Sequence, residues 1–423
     1  MSGHPSPSRD LPVNLAAVGL SVLPIAFLVG AVLLLASGIL QVARAGWQSG
    51  DRLLHRYLIL LGAVILVVTL SHQSASSWWG MFNYLPFLGF FALFSQVTSN
   101  PARIRRCLQA IALSSIPVSL LGLGQAIWRW EGRLEVIPVV GVVKMGFVSG
   151  RPTSIFTSPN HLAVYLVIVG AIAWGLWMDR SRQSRLETGI QAIAFGLALP
   201  LLVVTTSRNG WLIALLGVFV ALLVLQRWLW VGVAIAASCV PVLAAFGVPG
   251  FRAIVPATIW KRLVDSFVPG TDAYIAAITR WQMWQFAREL SLERFWTGWG
   301  WQSFYYESPI PPYFEKLTHA HNLPLHIAAE GGWVVTTGLL LLWGWIGWRA
   351  WRAWWRDRSA IGFPVLGTCL ALTCYWASGA MDAVYLDGRL NTLVWCLLAC
   401  ALSYARASEP NTGTALPYER QNA

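Results

Sequence analysis

A chain of 423 residues that is 56% hydrophobic and only 11% charged cannot cover a water-soluble globule, because soluble domains carry about 25% charged residues. Apolar stretches of about 20 residues recur along it, so the alternative solvent is lipid and the expected fold is an all-α, polytopic helical membrane protein of about 11–12 transmembrane helices. The net charge of +12 does not indicate nucleic acid, because the arginines sit in short loops between apolar runs, the positive-inside pattern, rather than along a groove.

Residues 1–14 are polar, rich in Pro and Ser, and expected to be disordered. The first apolar run, about Leu15 to Leu40, is too long for a signal-peptide core and reads as one retained span. A loop with Arg44, Arg52 and Arg56 leads to spans at about 53–70 and 78–97, and Asn100-Pro101-Ala102-Arg103-Ile104-Arg105-Arg106 forms a strongly basic turn. A span at about 107–128 precedes the polar segment 129–159, which holds Arg129, Arg133, Lys144 and Arg151. The next span, about 161–178, ends at Asp179-Arg180-Ser181-Arg182, and another, about 189–206, stops at Thr205-Thr206-Ser207-Arg208-Asn209. One more runs from there to Leu225, and another covers about 229–248. Residues 249–332 are the one large hydrophilic insertion. Spans at about 333–348, 361–380 and 390–405 close a single transmembrane domain, 15–405, and residues 406–423 form a polar tail expected to be disordered.

The basic loops at 41–56, 101–106, 179–187, 226–228 and 348–358 alternate with poorly charged ones and are assigned to the cytoplasm. The segment 129–159, the turn at 207–209, the insertion and the turn at 381–389 then share the far side. Eleven spans put the N-terminus outside and the C-terminus inside; one more span near the N-terminus would flip that end alone. Within the insertion, Pro256 to Val268 and Thr271 to Leu290 have helix-like composition, and the second puts Arg280, Trp284 and Arg288 on one face by i, i+4 and i+8 spacing. Pro309 to Pro312 is a rigid turn. The six cysteines fall within or at the edge of apolar spans and fit neither a zinc site nor a disulfide framework.

Three arginines outside the cytoplasmic set stand out. Arg151 precedes a span in the run Arg151 to His161, Arg208 has apolar runs on both sides, and Arg280 lies in the insertion. A charge held at membrane depth is costly, so it usually faces a cavity or a partner. Guanidinium forks match phosphate oxygens, and three on one side of the membrane would hold a diphosphate. The alternative is snorkelling or a structural pair with Asp or Glu. His319 and His321, two apart, would point apart on a strand and lie far apart around a helix, so they make a poor chelate and no metal is expected. A lone neutral imidazole suits general-base work, because its unperturbed pKa of about 6.5 lies near ambient pH. Glu330, nine residues beyond His321 on a helix expected from Leu323, would orient an imidazole, bind a sugar hydroxyl, or be capped and idle; His326 is read as structural. These residues describe an outward-facing anionic site with a candidate base, suited to transfer from a phosphorylated lipid or to passage of an anion.

His321-Asn322, nine residues, Gly332, two residues and Val335 fit the pattern His-[Asn/Ser/Gln]-x9-Gly-x2-[Gly/Thr/Val]. With Arg151…Pro159-Asn160-His161, the turn at 206–210 and Arg280-Trp281-Gln282-Met283-Trp284, in that order, the chain resembles the O-antigen ligase / O-antigen polymerase superfamily over about residues 75 to 405. The resemblance implies a GT-C-like membrane glycosyltransferase of the bacterial inner membrane. It would move a glycan from an undecaprenyl-diphosphate carrier to a hydroxyl of a glycolipid or other glycan acceptor on the periplasmic side, inverting and without metal or other cofactor. Carried over by position, Arg208 and Arg280 would bind the donor diphosphate with Arg151 nearby, and His321 would be the base, supported by His319, Asn322, Glu330 and Asn160. Ser154 stands where many members have a glycine, and the insertion is short. The same domain occurs in a branch named for bicarbonate transport, which Asp387-Gly388-Arg389-Leu390-Asn391-Thr392 and Trp395 also resemble; transport of inorganic carbon is the rival expectation, and glycan polymerisation a third. A transporter needs a polar path across the bilayer, for which the cytoplasmic halves of these spans offer almost no charged residues.

Overall fold

The computed structural model describes residues 10–48, 51–72, 74–137, 141–148, 150–179, 184–306, 319–356 and 358–409. The tail expected at residues 1–14, up to residue 9, the basic residues Arg180 and Arg182, the turn Pro309 to Pro312 and the tail from 410 lie outside them. The protein is an all-α membrane bundle with almost no sheet. In chain order the first helices are α1 (Leu11–Val22), α2 (Phe27–Ala45), α3 (Arg52–His72), α4 (Ala75–Met81), α5 (Leu85–Val97) and α6 (Pro101–Trp128). Two short antiparallel hairpins follow, β1 (Gly132–Ile137) with β2 (Gly141–Met145) and β3 (Phe147–Val148) with β4 (Arg151–Pro152). Then come α7 (Pro159–Met178), α8 (Arg185–Val204), α9 (Arg208–Val224) and α10 (Trp228–Ala245). The insertion contributes α11 (Phe251–Ile254), α12 (Ala257–Val264), α13 (Asp272–Glu293) and α14 (Ser303–Tyr306). Helices α15 (Leu323–Arg356), α16 (Arg358–Gly379) and α17 (Gly388–Ala407) complete the chain.

Among the described residues nine helices are long and apolar enough to cross a membrane, with α4 and α5 counted together, and the shorter apolar helices α1 and α9 pack with them. The spans read from hydropathy fall on these helices and on α16 except at the N-terminus. There the expected single span, Leu15 to Leu40, is two helices that reverse at Leu23 to Ala26, where Pro24 denies the backbone a helical N–H. Arg106 Nη1 donates to Asn14 Oδ1 at one end of the pair (2.9 Å), and Arg389 Nε donates to Pro24 O at the other (2.8 Å). The reversal brings Asp10 and Asn14 beside Arg106, where α6 begins.

The bundle has two unlike ends. One carries the basic loops: Arg105 pairs with Asp179, Arg349 with Asp51 (3.4 Å), and Arg103 donates to Gln41 (3.1 Å). At the opposite end several helices start behind a side-chain cap. Ser158 accepts from His161 N at α7 (3.1 Å), Ser207 from Gly210 N at α9 (3.2 Å), and Asn322 from Leu325 N at α15 (3.0 Å). Asp387 does the same at α17, accepting from Arg389 N (2.9 Å). Each cap satisfies an orphan N–H, and the positive ends of these helix dipoles gather on one face of the protein.

The insertion is tied to that face through a break in α15. Gly332 takes φ 78°, and a Cβ there would sit 2.3 Å from Trp296 O, so no other residue fits. The break frees the carbonyls of Ala329 and Glu330, which Trp299 N and Gly300 N fill, each at 2.9 Å. An unfilled carbonyl at this depth would cost several kcal/mol. Trp301, fully buried, then bonds Thr69 Oγ1 through Nε1 (3.0 Å), and Met283, Ala287 and Leu290 lay α13 against Phe304 and Ala329. The insertion is therefore a packed cap on the bundle.

Candidate functional site

The site is built where five segments meet: the β3–β4 hairpin, the start of α7, the α8–α9 turn, the 380–383 turn and the loop before α15. Arg151, on β4, donates through Nε to Thr205 O (2.7 Å) and through Nη2 to Asn160 Oδ1 (3.2 Å). Asn160 Oδ1 also accepts from Ser207 Oγ (2.9 Å), and its Nδ2 donates to Asp382 Oδ2 (3.2 Å). This amide bridges a guanidinium and a carboxylate, and the two partners fix its orientation. The other oxygen, Asp382 Oδ1, accepts from Ala383 N (2.9 Å) and from His321 Nδ1 (3.1 Å). One connected chain of hydrogen bonds runs from Arg151 to His321.

Two features aim the imidazole. His321 has φ 51°, a left-handed conformation that costs a non-glycine residue about 1–3 kcal/mol and that surrounding contacts must hold. Trp284 Nε1 donates to its carbonyl (3.0 Å), and Asn322 Nδ2 donates to Ala380 O (3.1 Å), clamping the loop over the 380–383 turn. An ionised carboxylate only accepts, so Nδ1 carries the proton and Nε2 presents a lone pair. Nε2 has no hydrogen-bond partner among the described residues, and the ring is 19% exposed, enough to meet a substrate.

The same curl overturns the expectation for the histidine pair. The rings of His319 and His321 do not point apart; their centroids are 4.2 Å apart, and both face Asp382. His319, His321 and Asp382 offer ligand atoms all within 4.8 Å of one another, a set that could hold a metal ion. The hydrogen bonds favour protons there instead. His319 Nδ1 accepts from His321 N (3.2 Å), so the proton of its neutral ring is on Nε2, the atom 3.8 Å from Asp382. Burial, and then the charge of His321, push His319 down to about 4 against the pull of Asp382, so the ring is neutral near pH 7. Burial raises the Asp382 carboxyl, but the hydrogen bond from His321 and the charges of His321, His319 and His161 outweigh it and hold it well below the usual carboxylate range.

The arginines gather on the same side. Arg208, first residue of α9, donates to Ser266 Oγ and to Ala273 O (3.4 Å). Arg280 lies one turn before Trp284 on α13, and its Nε is buried with no acceptor among the described residues. Burial, then the charges of Arg262, Arg208 and Arg280, push Arg151 down to about 10. None of these four arginines forms a salt bridge among the described residues, although Asp265 lies close enough to favour the charge of Arg208. Guanidiniums gathered without a salt-bridge partner among the described residues, one of them at the N-terminus of α9, make a site for an anion.

The structure thus brings together Arg151, Asn160, Arg208, Arg280, His319, His321 and Asn322. Glu330 is elsewhere: buried behind the loop, its Oε1 accepts from Phe304 N (3.3 Å), and its Oε2 lies 3.6 Å from His326 Nε2. It ties α15 to the insertion and does not reach His321. Arg288, expected on the face of Arg280, is exposed about two turns beyond it. Sequence reasoning missed Asp382 and Arg262. Asp382 lies in the turn that hydropathy places beside the site, and Arg262 follows Lys261 in a stretch with helix-like composition; those were the available signals.

Residues 193–340 match the family model described as O-antigen ligase. The matched span holds Arg208, Arg262, Arg280, His319, His321 and Asn322, whereas Arg151, Asn160 and Asp382 flank it. No curated protein matches the chain.

Proposed function

Since the match over residues 193–340 supports membership of the O-antigen ligase/polymerase superfamily, we propose that this multi-pass membrane protein transfers a glycan from a polyprenyl-diphosphate carrier to an acceptor hydroxyl. The observation that carries the reading is the hydrogen-bonded chain Arg151–Asn160–Asp382–His321, which joins a guanidinium cluster to an imidazole with a free lone pair. Arg208, Arg280 and Arg151 hold the donor diphosphate and neutralise the charge that develops as it departs, the role a divalent metal plays elsewhere. His321 Nε2 takes the proton of the acceptor hydroxyl, and Asp382 stabilises the imidazolium. The oxygen attacks the anomeric carbon from the face opposite the diphosphate, and the configuration inverts.

The basic-loop end of the bundle is assigned to the cytoplasm and the site to the periplasmic face of a bacterial inner membrane. Between them the bundle is packed with apolar side chains such as Val164, Ile168, Leu393 and Leu397, which favours transfer at one face over passage of an anion through the bilayer. The test is to supply purified protein in proteoliposomes with a lipid-diphosphate glycan and a panel of glycolipid and glycan acceptors, with and without EDTA. A product detected by mass spectrometry, inverted at the anomeric carbon and unaffected by EDTA, is the expected result. Absence of product with every acceptor, together with saturable bicarbonate uptake, would replace the reading with transport.

A further inference from the structure

The arginine that sequence reasoning passed over occupies a place of its own. Arg262 is in the last turn of α12, and Ser266 fastens that turn to the site: its hydroxyl accepts from Arg208 Nη1 and donates to Arg262 O (3.2 Å). Arg262 Nε is buried without an acceptor, as is Arg280 Nε, and no carboxylate pairs with either guanidinium among the described residues. Buried donors left unsatisfied are rare in folded proteins and ask for a partner. Two such donors from different helices of the insertion, beside Arg208 and Arg151, call for an anion richer in charge than three guanidiniums require.

We propose that Arg262 is a fourth binding residue for the lipid diphosphate, and that the four guanidiniums together favour the departing diphosphate over the intact donor. The inference rests on the donor assignment above. In the transfer the bond between the anomeric carbon and the diphosphate oxygen breaks and its electron pair stays on that oxygen. The acceptor oxygen bonds to the carbon, and its proton goes to His321 Nε2. The donor is a diphosphate diester with about two negative charges; the leaving group is a monoester with about three near neutral pH. A site matched to the extra charge stabilises the transition state more than the ground state, which raises the rate of the chemical step. Its consequence is that released lipid diphosphate competes with the next donor. A reaction that hydrolyses the terminal phosphate of lipid diphosphates must therefore follow to clear the site. The position of Arg262 also accounts for its charge being the foremost of those acting on Arg151.

Calorimetric titration of the detergent-solubilised full chain decides the matter, with farnesyl diphosphate as the monoester probe and farnesyl-diphosphate-glucose as the diester. The wild-type protein should bind the monoester about tenfold more tightly or better, the worth of one charge-assisted hydrogen bond. Arg262→Gln should weaken binding of both probes and of the monoester more, cutting the preference to within about threefold, and Arg262→Lys, which keeps the charge, should retain most of it. Equal binding of the two probes by the wild type, or an unchanged preference in both variants, overturns this inference and leaves the donor assignment standing. If the wild type binds neither probe, the donor assignment falls and takes this inference with it.

Discussion

His321 Nδ1 lies 3.1 Å from Asp382 Oδ1, a pair separated by 61 residues of chain and joined by the fold of α15 and α16. The carboxylate does two things for the ring: it fixes the tautomer that exposes Nε2, and it stabilises the charged imidazolium once a proton arrives. Asp382→Asn preserves the shape and removes both effects. The rate of transfer should fall about a hundred- to ten-thousandfold, with the KM for donor changed little, in initial-rate measurements on proteoliposomes. A KM effect alone would place Asp382 in donor binding.

Titration of the same cluster gives a stability prediction. His319 ordinarily titrates at 6.5 and is pushed down to about 4 in the folded protein, first by burial. Between these values the unfolded chain binds more protons, so folding stability rises with pH across the window. The contribution is complete above about pH 6.5, is lost as pH falls through about 4, and amounts to on the order of 3 kcal/mol. Asp382 adds a loss at more acidic pH, since its folded value is depressed below the ordinary 3.8. Thermal melts in detergent should show the midpoint falling from about pH 7 to about pH 4.5, and His319→Gln should flatten that fall. Parallel curves for wild type and variant would remove His319 as the cause.

Much of this was legible in the sequence, and the failures have physical reasons. Arg151, Arg208 and Arg280 stand out because each is a charge beside apolar runs or in the insertion between them, where lipid makes charge expensive. Asn160 and Asn322 came with the motif, and their roles as bridge and helix cap follow from amide chemistry. Asp382 could not be paired with His321 by spacing, since the contact is made by tertiary structure alone. The mistaken geometry of the two histidines came from assuming strand or helix periodicity, when His321 adopts φ 51° and folds its ring back on His319. Glu330 was near His321 in sequence, but the helix carries it to the far side, where it meets His326. The first span was read as one helix because hydropathy sees length and ignores Pro24, the residue that turns the chain.

Ser154 tests how this chain accommodates a serine where many members of the superfamily carry glycine. It holds φ 52°, fully buried, with its N–H donated to Gln125 Oε1 (2.7 Å) and its hydroxyl to Val118 O (2.8 Å). Glycine would relieve about 1 kcal/mol or more of left-handed strain and lose one hydrogen bond of about 1 kcal/mol, so Ser154→Gly should be near neutral. Ser154→Ala keeps the strain and loses the bond, and should be the more destabilising of the two in thermal melts. Equal losses in the two variants would show that the hydroxyl alone matters, and the reverse order would remove backbone strain from the account.

In the proposed reaction Trp284 links donor binding to the base, because Arg280 lies one turn before it on α13 and its indole N–H holds His321 O at 3.0 Å. Trp284→Phe retains the aromatic packing and removes the donor. The rate constant should drop by about tenfold with the KM for donor little changed, the loss of one hydrogen bond that positions the ring. A melting temperature that falls in step with the rate would make the contact merely structural.

The central claim is that an imidazole and a guanidinium cluster act on one substrate, and single-turnover transfer from a lipid-diphosphate glycan tests it most directly. His321→Ala should form product at least about a thousandfold more slowly while still binding donor, and Arg208→Ala should lose donor affinity as well. Wild-type rates of product formation in folded His321→Ala and Arg208→Ala protein would contradict it.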